Sequence, residues 1–228
     1  MSQHPLSGSV VAVVGATGAL GSLIARGAAD RGAHVVLVGR DEERLRAVIE
    51  GATVVVGDLG DATLGARVVE AATGAHGRLD GLVNAAGVVA FGSLVETDDA
   101  VIEELFLVNV MGPLFLAGAV LPALTAAKGF IVNLSAVVAE QPMAGMVAYS
   151  ATKAALTGAD RGLSKELRRT GVDVVDVRPP HTETGLVDRA LAGTAPRLPQ
   201  GLEPSVVATA VLDAIEAGTH ELTSTDIG

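Results

Sequence analysis

Short apolar runs alternate along this chain with stretches of helical periodicity. The apolar runs are rich in valine and end in glycine or a polar residue, which is typical of strands buried on both faces of a parallel sheet. They predict strands at residues 9–15, 33–39, 52–57, 79–84, 129–135 and 172–178, with a short edge strand at 219–223.

Between these runs, apolar positions recur every three or four residues, as on one face of a helix. The segments with this period are 18–31, 41–50, 61–76, 97–127, 148–170 and 203–217. Gly112-Pro113 and Pro122 are expected to bend or divide the longest of them, because proline lacks the N–H that a helix uses. Alternating strands and helices predict an α/β fold: one Rossmann-type domain over residues 1–228, with a doubly wound parallel sheet between two helix layers.

The least regular segment spans residues 184–204 and contains Pro196, Pro199 and Pro204. Only one helix and one short strand follow it, which argues against an interdomain linker. We predict a loop or lid that covers a binding site.

Composition and charge argue against several classes of protein. The 228 residues carry a net charge of −10 and no run of basic residues, which argues against a nucleic-acid binder. The absence of cysteine excludes disulfides and thiolate metal sites, and no metal is expected. Neither a secretory signal pattern nor an uninterrupted apolar stretch of about 18 residues is found. We expect a cytoplasmic protein that does not bind membranes.

Three glycines stand where the first predicted strand meets the first helix, in Gly15-Ala-Thr-Gly18-Ala-Leu-Gly21. Glycine permits positive φ in a tight turn and lets the backbone approach a pyrophosphate at a helix N-terminus. A plain turn is the alternative, but the strand–turn–helix context favours a dinucleotide site. Gly21 is expected to let the helix pack closely on the strand. The other turn residues assigned to this site are Thr17, Ala19 and Leu20.

The end of the second predicted strand indicates which dinucleotide binds. An NAD site usually has an acidic residue there, which accepts a hydrogen bond from the ribose 2′-hydroxyl. Here Gly39 and Arg40 occupy this place. A guanidinium binds a 2′-phosphate bidentately, so NADP(H) is favoured, with NAD(H) as the alternative. Arg40 is otherwise a loop cap or an ion-pair partner of Glu43. Asp58, after the third strand, is expected to bind the adenine amino group or to cap the next helix.

The only tyrosine, Tyr149, precedes Lys153 by four residues, so both side chains share one face of a helix. A free phenol has a pKa of about 10 and is a poor base at neutral pH. A nearby ammonium and a positive nicotinamide ring would lower that pKa, as general acid–base catalysis requires. An ordinary surface pair is the alternative.

In their joint order, these motifs resemble the short-chain dehydrogenase/reductase family, from Ser9 to the end of the chain. The further motifs that carry the resemblance are Asp58-Leu59, Asn84-Ala85-Ala86-Gly87, Asn109, Asn133-Leu134-Ser135, Tyr149-Ser-Ala-Thr-Lys153, and Arg178-Pro179-Pro180 before Thr182 and Thr184.

The resemblance implies roles for these residues. Tyr149 would exchange the substrate proton, Lys153 would bind the nicotinamide ribose and lower the pKa of Tyr149, and Asn109 would hold a relay water. Ser135 would orient the substrate oxygen. The resemblance also implies that the cofactor cleft is lined by Leu59, Asn84, Ala85, Ala86, Gly87, Pro179, Thr182 and Thr184.

The sequence departs from the family's pattern in three places. Its G-x-x-G-x-x-G spacing is similar to that of extended and atypical members, although the chain is compact. The catalytic serine usually stands thirteen residues before the tyrosine, where this chain has Ala136; Ser135 requires a one-residue adjustment of the following loop. Pro180 replaces a glycine and removes a backbone N–H. We interpret His181 as a loop histidine, with an acid–base or phosphate-binding role as the alternative.

The predicted pocket walls at 88–91, 137–146 and 185–195 are mostly apolar, which favours a small to medium hydrophobic ketone or secondary alcohol. The resemblance suggests a homotetramer, with a homodimer second, assembled through helices in 109–126 and 149–168; these faces otherwise pack only on the sheet. We expect an NADP(H)-dependent oxidoreductase. A non-catalytic dinucleotide sensor on the same fold is the main alternative, and an isomerase or dehydratase with bound cofactor is the third.

Overall fold

Seven strands form one parallel sheet in the computed structural model, which describes residues 3–227. The strands are β1 Val10–Val14, β2 His34–Gly39, β3 Thr53–Val56, β4 Gly81–Asn84, β5 Phe130–Leu134, β6 Asp173–Val177 and β7 Glu221–Leu222. Their order is β3-β2-β1-β4-β5-β6-β7. The chain therefore reverses its direction of winding between β1 and β4, and such a switch point is where doubly wound sheets bind ligands.

Helices cover both faces of the sheet. They are α1 Ala19–Asp30, α2 Glu42–Arg46, α3 Leu64–His76, α4 Asp99–Phe106, α5 Gly112–Ala127, α6 Val147–Leu167, α7 Pro204–Ala217 and α8 Ser224–Ile227. One apolar core joins the sheet to α1, α2, α7 and α8, and a second joins its other face to α3, α5 and α6. The predicted three-layer α/β fold and single domain are confirmed.

The long predicted helix at 97–127 is divided, but not at both predicted places. A π-helical turn, Leu107–Met111, separates α4 from α5 and ends directly before Gly112-Pro113. Pro113 lies in the first turn of α5, where its missing N–H removes no α-helical bond. Pro122 lies inside α5, which continues to Ala127, so Pro122 does not divide the helix. Two other helices are shorter than predicted, since α2 ends at Arg46 and α3 begins at Leu64.

Within residues 3–227, the helical stretch Asp99–Ala127 is the one segment long and apolar enough to cross a membrane. Its α5 part contributes Leu116, Val120 and Leu124 to the core beneath the sheet. This stretch is therefore a layer helix of the α/β fold, and no membrane localisation is indicated.

The irregular segment 184–204 folds back over the carboxyl edge of the sheet. The backbone N–H of Leu191 donates to the carbonyl of Val89 (2.8 Å), and that of Phe91 donates to the carbonyl of Ala192 (2.9 Å). A short 3-10 helix, Val187–Arg189, lies within it. Apolar side chains of this segment pack on a third, smaller core that includes Phe91 and Tyr149.

Candidate active site

A cavity of about 370 Å³ lies at the carboxyl edge of the sheet, above the switch point. One end is bordered by the glycine turn after β1 and by the loops after β2 and β3. The other end is bordered by the loop after β4, the start of α6 and the segment that follows β6. A single continuous cavity therefore joins the predicted dinucleotide site to the predicted substrate pocket.

The glycine turn has no room for side chains at two of its three glycines. Gly15 has a φ of +74°, and a Cβ there would lie 2.7 Å from the backbone nitrogen of Ala86. A Cβ on Gly21 would lie 2.2 Å from the carbonyl oxygen of Gly15, so α1 packs directly on the turn. Gly18 is the N-cap of α1, and its N–H donates to the carbonyl of Gly15 (2.9 Å). Gly21 does not line the cavity. The turn residues that line it are Gly15, Thr17, Gly18, Ala19 and Leu20.

Two guanidinium groups stand at the rim beyond β2. The Arg40 side chain is 79% exposed, and its Nη1 lies 3.8 Å from Asp58 Oδ2. Arg44, which sequence reasoning missed, also lines the cavity and donates from Nη2 to the carbonyl of Thr17 (3.1 Å). The sequence feature that could have identified Arg44 is its position in the first turn of the helix after β2. Asp41, the N-cap of α2, accepts from the Arg44 N–H through Oδ1 (3.0 Å).

Asp58 and Leu59 line the cavity next to this rim. Asp58 Oδ1 accepts from the N–H of Gly60 (2.9 Å), and α3 begins only at Leu64. Asp58 therefore does not cap the following helix, and the alternative of a helix cap is wrong. β2 ends without an acidic residue. The charged residues that line this rim are Arg40, Arg44 and Asp58.

Tyr149 and Lys153 lie on one face of α6 and both line the cavity, although they are only 7% and 5% exposed. The ammonium of Lys153 donates to the carbonyl of Leu134 at the end of β5 (2.8 Å). Its Nζ lies 5.9 Å from the centre of the Tyr149 ring. The helical spacing thus brings the phenol and the ammonium to the same part of the cavity wall.

Asn109 lies in the π-helical turn, a type of distortion that is frequent at functional sites. Its Oδ1 accepts from the N–H of Val88, and its Nδ2 donates to the carbonyl of Val88, both at 2.9 Å. A Cβ on Gly87 would lie 3.3 Å from Asn109 Oδ1 and 3.5 Å from Lys153 Nζ. Asn109 and Lys153 therefore converge beside Gly87, and Asn109 is bound to the strand-end loop that lines the cavity.

The charge states of the pair follow from burial. Burial raises the pKa of the Tyr149 phenol, so in the protein alone the expected lowering by Lys153 is not found. Burial also lowers the pKa of Lys153 to about 8, and the charges of Asp176 and Asp160 oppose this change. At neutral pH Tyr149 is protonated, which is the state of a proton donor.

Ser135 does not have the orientation expected of a substrate-binding serine. Its hydroxyl donates to the carbonyl of Lys153 (2.9 Å) and lies 3.0 Å from Thr157 Oγ1, both on α6. The next residue, Ala136, packs with Tyr149 in the small apolar core. Ser135 and Ala136 both border the cavity. Adjacent residues leaving a strand point to opposite sides, and the Ser135 hydroxyl is directed toward α6. An alanine thus occupies the position at which the family's serine is expected.

Asn84 does not lie where the family resemblance implies. Ala85, Ala86 and Gly87 line the cavity, but Asn84 does not. Its side chain is buried between the sheet and α6, where Nδ2 donates to Asn133 Oδ1 (3.3 Å). Asn84 still belongs to β4, so its side chain points to a face of the sheet and not to the edge where the loop begins.

The far end of the cavity is mostly apolar. Its walls include Val88, Val89, Phe91, Val137, Val138, Met143, Met146, Leu186, Val187 and Leu198, of which only Leu198 lies outside the predicted walls. Pro179, Thr182 and Thr184 line the cavity with Pro180 and His181. Thr182 Oγ1 donates to the carbonyl of Pro180 (2.8 Å), and His181 Nε2 lies 3.5 Å from Glu183 Oε1. Residues 3–227 contain no cluster of side chains suited to a metal ion.

Comparisons with known sequences agree with this geometry. Residues 9–194 match the family model described as short chain dehydrogenase. The chain is 34% identical over 228 residues to an uncharacterized oxidoreductase of Staphylococcus saprophyticus, with 94% of each chain covered. It is 32% identical over 222 residues to an uncharacterized oxidoreductase of Staphylococcus aureus, again with 94% of each covered.

Solved structures give the same fold. A short-chain dehydrogenase from Burkholderia cenocepacia in complex with NADP has a TM-score of 0.85 and 27% identity, covering 96% of this chain and 89% of that one. A 3-ketoacyl-(acyl-carrier-protein) reductase from Brucella melitensis complexed with NADH has a TM-score of 0.85 at 23% identity, over 98% of this chain and all of that one, and shows the fold alone. Together with the match over most of the sequence, these likenesses establish that the chain is a member of the short-chain dehydrogenase/reductase family of oxidoreductases.

Proposed function

We propose that this protein transfers a hydride between NADP(H) and a small to medium hydrophobic ketone or secondary alcohol. The observation that carries the proposal is the position of Tyr149 and Lys153 where the glycine-turn end of the cavity meets its apolar end. A substrate carbonyl in the apolar end would lie between the phenol and the cofactor. Apolar walls with few polar groups suit a hydrophobic substrate.

The residues present fit a nicotinamide dinucleotide. Gly15 and Gly87 border the cavity without side chains, so the backbone there could approach a pyrophosphate and a nicotinamide ribose. The N-terminus of α1 would support the pyrophosphate, and Arg40 with Arg44 would bind the 2′-phosphate. The absence of an acidic residue at the end of β2 supports NADP(H) over NAD(H). Bound NADP(H) supplies or accepts the hydride.

The side chains around the reacting carbon move the proton. In reduction, Tyr149 donates its phenolic proton to the carbonyl oxygen as the alkoxide forms, and Lys153 as an ammonium stabilises the resulting phenolate. Asn109 holds the loop at Val88 beside Lys153 and places an amide near the route by which Tyr149 recovers its proton. Because Ala136 offers no hydroxyl, the substrate oxygen depends on Tyr149 for its hydrogen bond.

The test is the variant Tyr149→Phe, assayed by NADPH oxidation with a panel of aliphatic and aryl ketones. Loss of the general acid should reduce kcat/KM by about 10²–10⁴-fold, while the Kd for NADPH from fluorescence titration stays within about twofold. Ser164→Ala, which removes a hydroxyl from the other end of α6, is the matched control and should keep full turnover. Substantial turnover by Tyr149→Phe would refute the assignment.

Ala136 also supports a second function, a dinucleotide sensor that binds cofactor without turning over substrate. In that case the protein would bind NADPH tightly, no ketone in the panel would be reduced, and Tyr149→Phe would behave as the parent. The convergence of Tyr149, Lys153 and Asn109 supports the enzyme, because a sensor has no need of a proton donor.

We also propose that the protein is a cytoplasmic homotetramer, with a homodimer as the second possibility. Leu114 and Phe115 of α5, with Met111 just before it, expose large apolar side chains. Ala151, Ala154 and Gly158 form an exposed stripe of small residues on α6, in the same helix layer. Burial of such surfaces drives association, and sedimentation equilibrium measures the resulting mass.

A further inference from the structure

A row of polar side chains crosses the sheet underneath α6. Asn84, Asn133 and Asp176 are aligned neighbours on β4, β5 and β6. Asn84 donates to Asn133 Oδ1 (3.3 Å), and Asn133 Nδ2 donates to Oδ1 of Asp160 on α6 (2.5 Å). All four residues are at most 4% exposed. Two carboxyl groups therefore lie in a network sealed from water, and the proton transfer proposed above does not use them.

The hydroxyls of Thr157 and Ser135, next to Asp176, show whether Asp176 carries a proton, because their hydrogens can be counted. Thr157 Oγ1 lies 3.1 Å from Asp176 Oδ1 and 3.0 Å from Ser135 Oγ, and Ser135 donates to the carbonyl of Lys153. A hydroxyl has one hydrogen to donate. If Asp176 is ionised, Thr157 donates to it and the contact between Thr157 and Ser135 has no hydrogen. If Asp176 carries a proton, it donates to Thr157, and Thr157 donates to Ser135.

The second oxygen of each carboxyl also indicates that the two aspartates carry a proton between them. Within residues 3–227, Asp160 Oδ2 is buried without a hydrogen-bond partner. Asp176 Oδ2 lies 3.2 Å from Arg178 Nε, but outside hydrogen-bonding geometry. Burying two carboxylates with unbonded oxygens is costly, and a proton on the pair relieves that cost.

The surrounding charges determine how many protons the pair holds. Arg178 is paired with Glu140 (3.0 Å) and Glu221 (2.6 Å), and Glu221 is also paired with Arg161 (3.2 Å). These four groups balance one another, although Arg178 also lies 3.2 Å from Asp176. The further buried cation is Lys153, on the same face of α6 as Thr157 and Asp160. Two ionised aspartates would overcompensate it, whereas two protonated ones would leave it unbalanced. One proton makes the whole cluster neutral, which is the least costly buried state.

We propose that Asp160 and Asp176 share a single proton and act as positioning residues, whose one negative charge holds Lys153 as an ammonium. The consequence for catalysis rests on the proposed function, because it is there that Lys153 assists Tyr149. Burial supports the proposal, because it raises the pKa of Asp160 to about 8 and also raises that of Asp176. Because the two groups interact, the proton belongs to the pair and not to either residue.

The shared charge predicts that replacing the two aspartates has non-additive effects on the pKa of Lys153. In Asp160→Asn, Asp176 loses its like-charged neighbour and ionises, and in Asp176→Asn the reverse occurs. Each single variant therefore keeps one negative charge, and only the double variant loses it. The chain contains three lysines, Lys128, Lys153 and Lys165, so ¹³C labelling at Cε gives three resolvable titration curves.

We expect the pKa of Lys153, about 8 in the parent, to change by less than about half a unit in each single variant and to fall by about one unit or more in the double. At pH 8 such a fall reduces the ammonium population about fivefold. Asp173→Asn, on the same strand but paired with His4 (2.9 Å), is the matched control and should leave Lys153 unchanged. Equal shifts in single and double variants, or no shift in the double, would overturn the proposal.

A second measurement uses the unmodified protein and therefore does not depend on whether a variant folds. Infrared difference spectra between pH 6 and 10 should show the carbonyl stretch of one buried carboxylic acid, which disappears as the pH rises. The absence of that band, or an intensity equal to two acids, would contradict a single shared proton. Neither measurement requires turnover, so their failure is distinguishable from failure of the proposed reaction. If ketone reduction is found, the alkaline limb of its kcat/KM profile should move to lower pH in the double variant.

Discussion

Replacing Arg40 with alanine tests the cofactor preference directly. Arg40 stands at the end of β2 with its side chain 79% exposed, and its nearest charged partner is Asp58 at 3.8 Å. A 2′-phosphate bound there would accept hydrogen bonds from the guanidinium. In the variant that donor is lost, and the carboxylate of Asp58 remains without its cation beside the incoming phosphate.

The magnitude follows from these contacts. A hydrogen bond to a charged group contributes about 1.5–3 kcal/mol, which corresponds to about 10–150-fold in Kd. Exposure and salt screening favour the lower part of this range, while repulsion by Asp58 acts in the other direction. We therefore expect NADPH binding to weaken about 10–50-fold. NADH has no 2′-phosphate, so its Kd should change by about twofold or less.

The assay is fluorescence titration of both cofactors at low and at physiological ionic strength. The loss for NADPH should be larger at low salt, because the interaction is electrostatic and exposed. Arg46→Ala is the matched control: Arg46 lies on α2, pairs with Glu42 (2.7 Å) and does not line the cavity. Equal weakening of NADPH and NADH by Arg40→Ala would refute the reasoning, and so would a comparable effect of Arg46→Ala.

Two further variants test the site and the turn. Ala136→Ser places a hydroxyl beside Tyr149 and should raise kcat/KM for ketone reduction by about tenfold, since one added donor recovers part of the roughly 10²-fold that such a group contributes; an unchanged or lower value would show that position 136 does not face the substrate oxygen. Gly21→Ala introduces a Cβ 2.2 Å from Gly15 O and should lower the stability by about 2 kcal/mol, or the Tm by about 4–8 °C, in calorimetry. The control Gly74→Ala, in an exposed turn of α3 with open space around it, should instead raise the Tm slightly, and a neutral Gly21→Ala would contradict the close packing of α1 on the turn.

Much of the fold could be predicted from local pattern alone. A strand buried on both faces needs a continuous apolar run, and a layer helix needs an apolar stripe, so both leave a periodic record in neighbouring residues. The glycine turn and the four-residue spacing of Tyr149 and Lys153 are also local. Helix ends were less predictable, because α5 tolerates Pro122 and a π-helical turn precedes Pro113.

The candidate site, like the fold, could be predicted only in part from the sequence. The order of motifs along the chain indicated which residues surround the cavity, including Arg40 and the segment 184–204. It did not indicate Arg44, whose role depends on how α2 packs at the rim. It left open whether Ser135 faces the substrate, and the structure directs its hydroxyl toward α6. The side-chain direction of a residue at a strand end depends on a shift of one position, and periodicity does not resolve that shift.

By itself, the sequence determined the alternation of strands and helices, the glycine turn and the pairing of a phenol with an ammonium on one helix face. Only the tertiary structure decided the charge states and partners of the buried polar groups. Residues 84, 133, 160 and 176 form one network because α6 packs on β5 and β6, and β4 pairs with β5. The physical reason is that periodicity records interactions between near neighbours, whereas burial and electrostatics depend on which distant segments exclude water together.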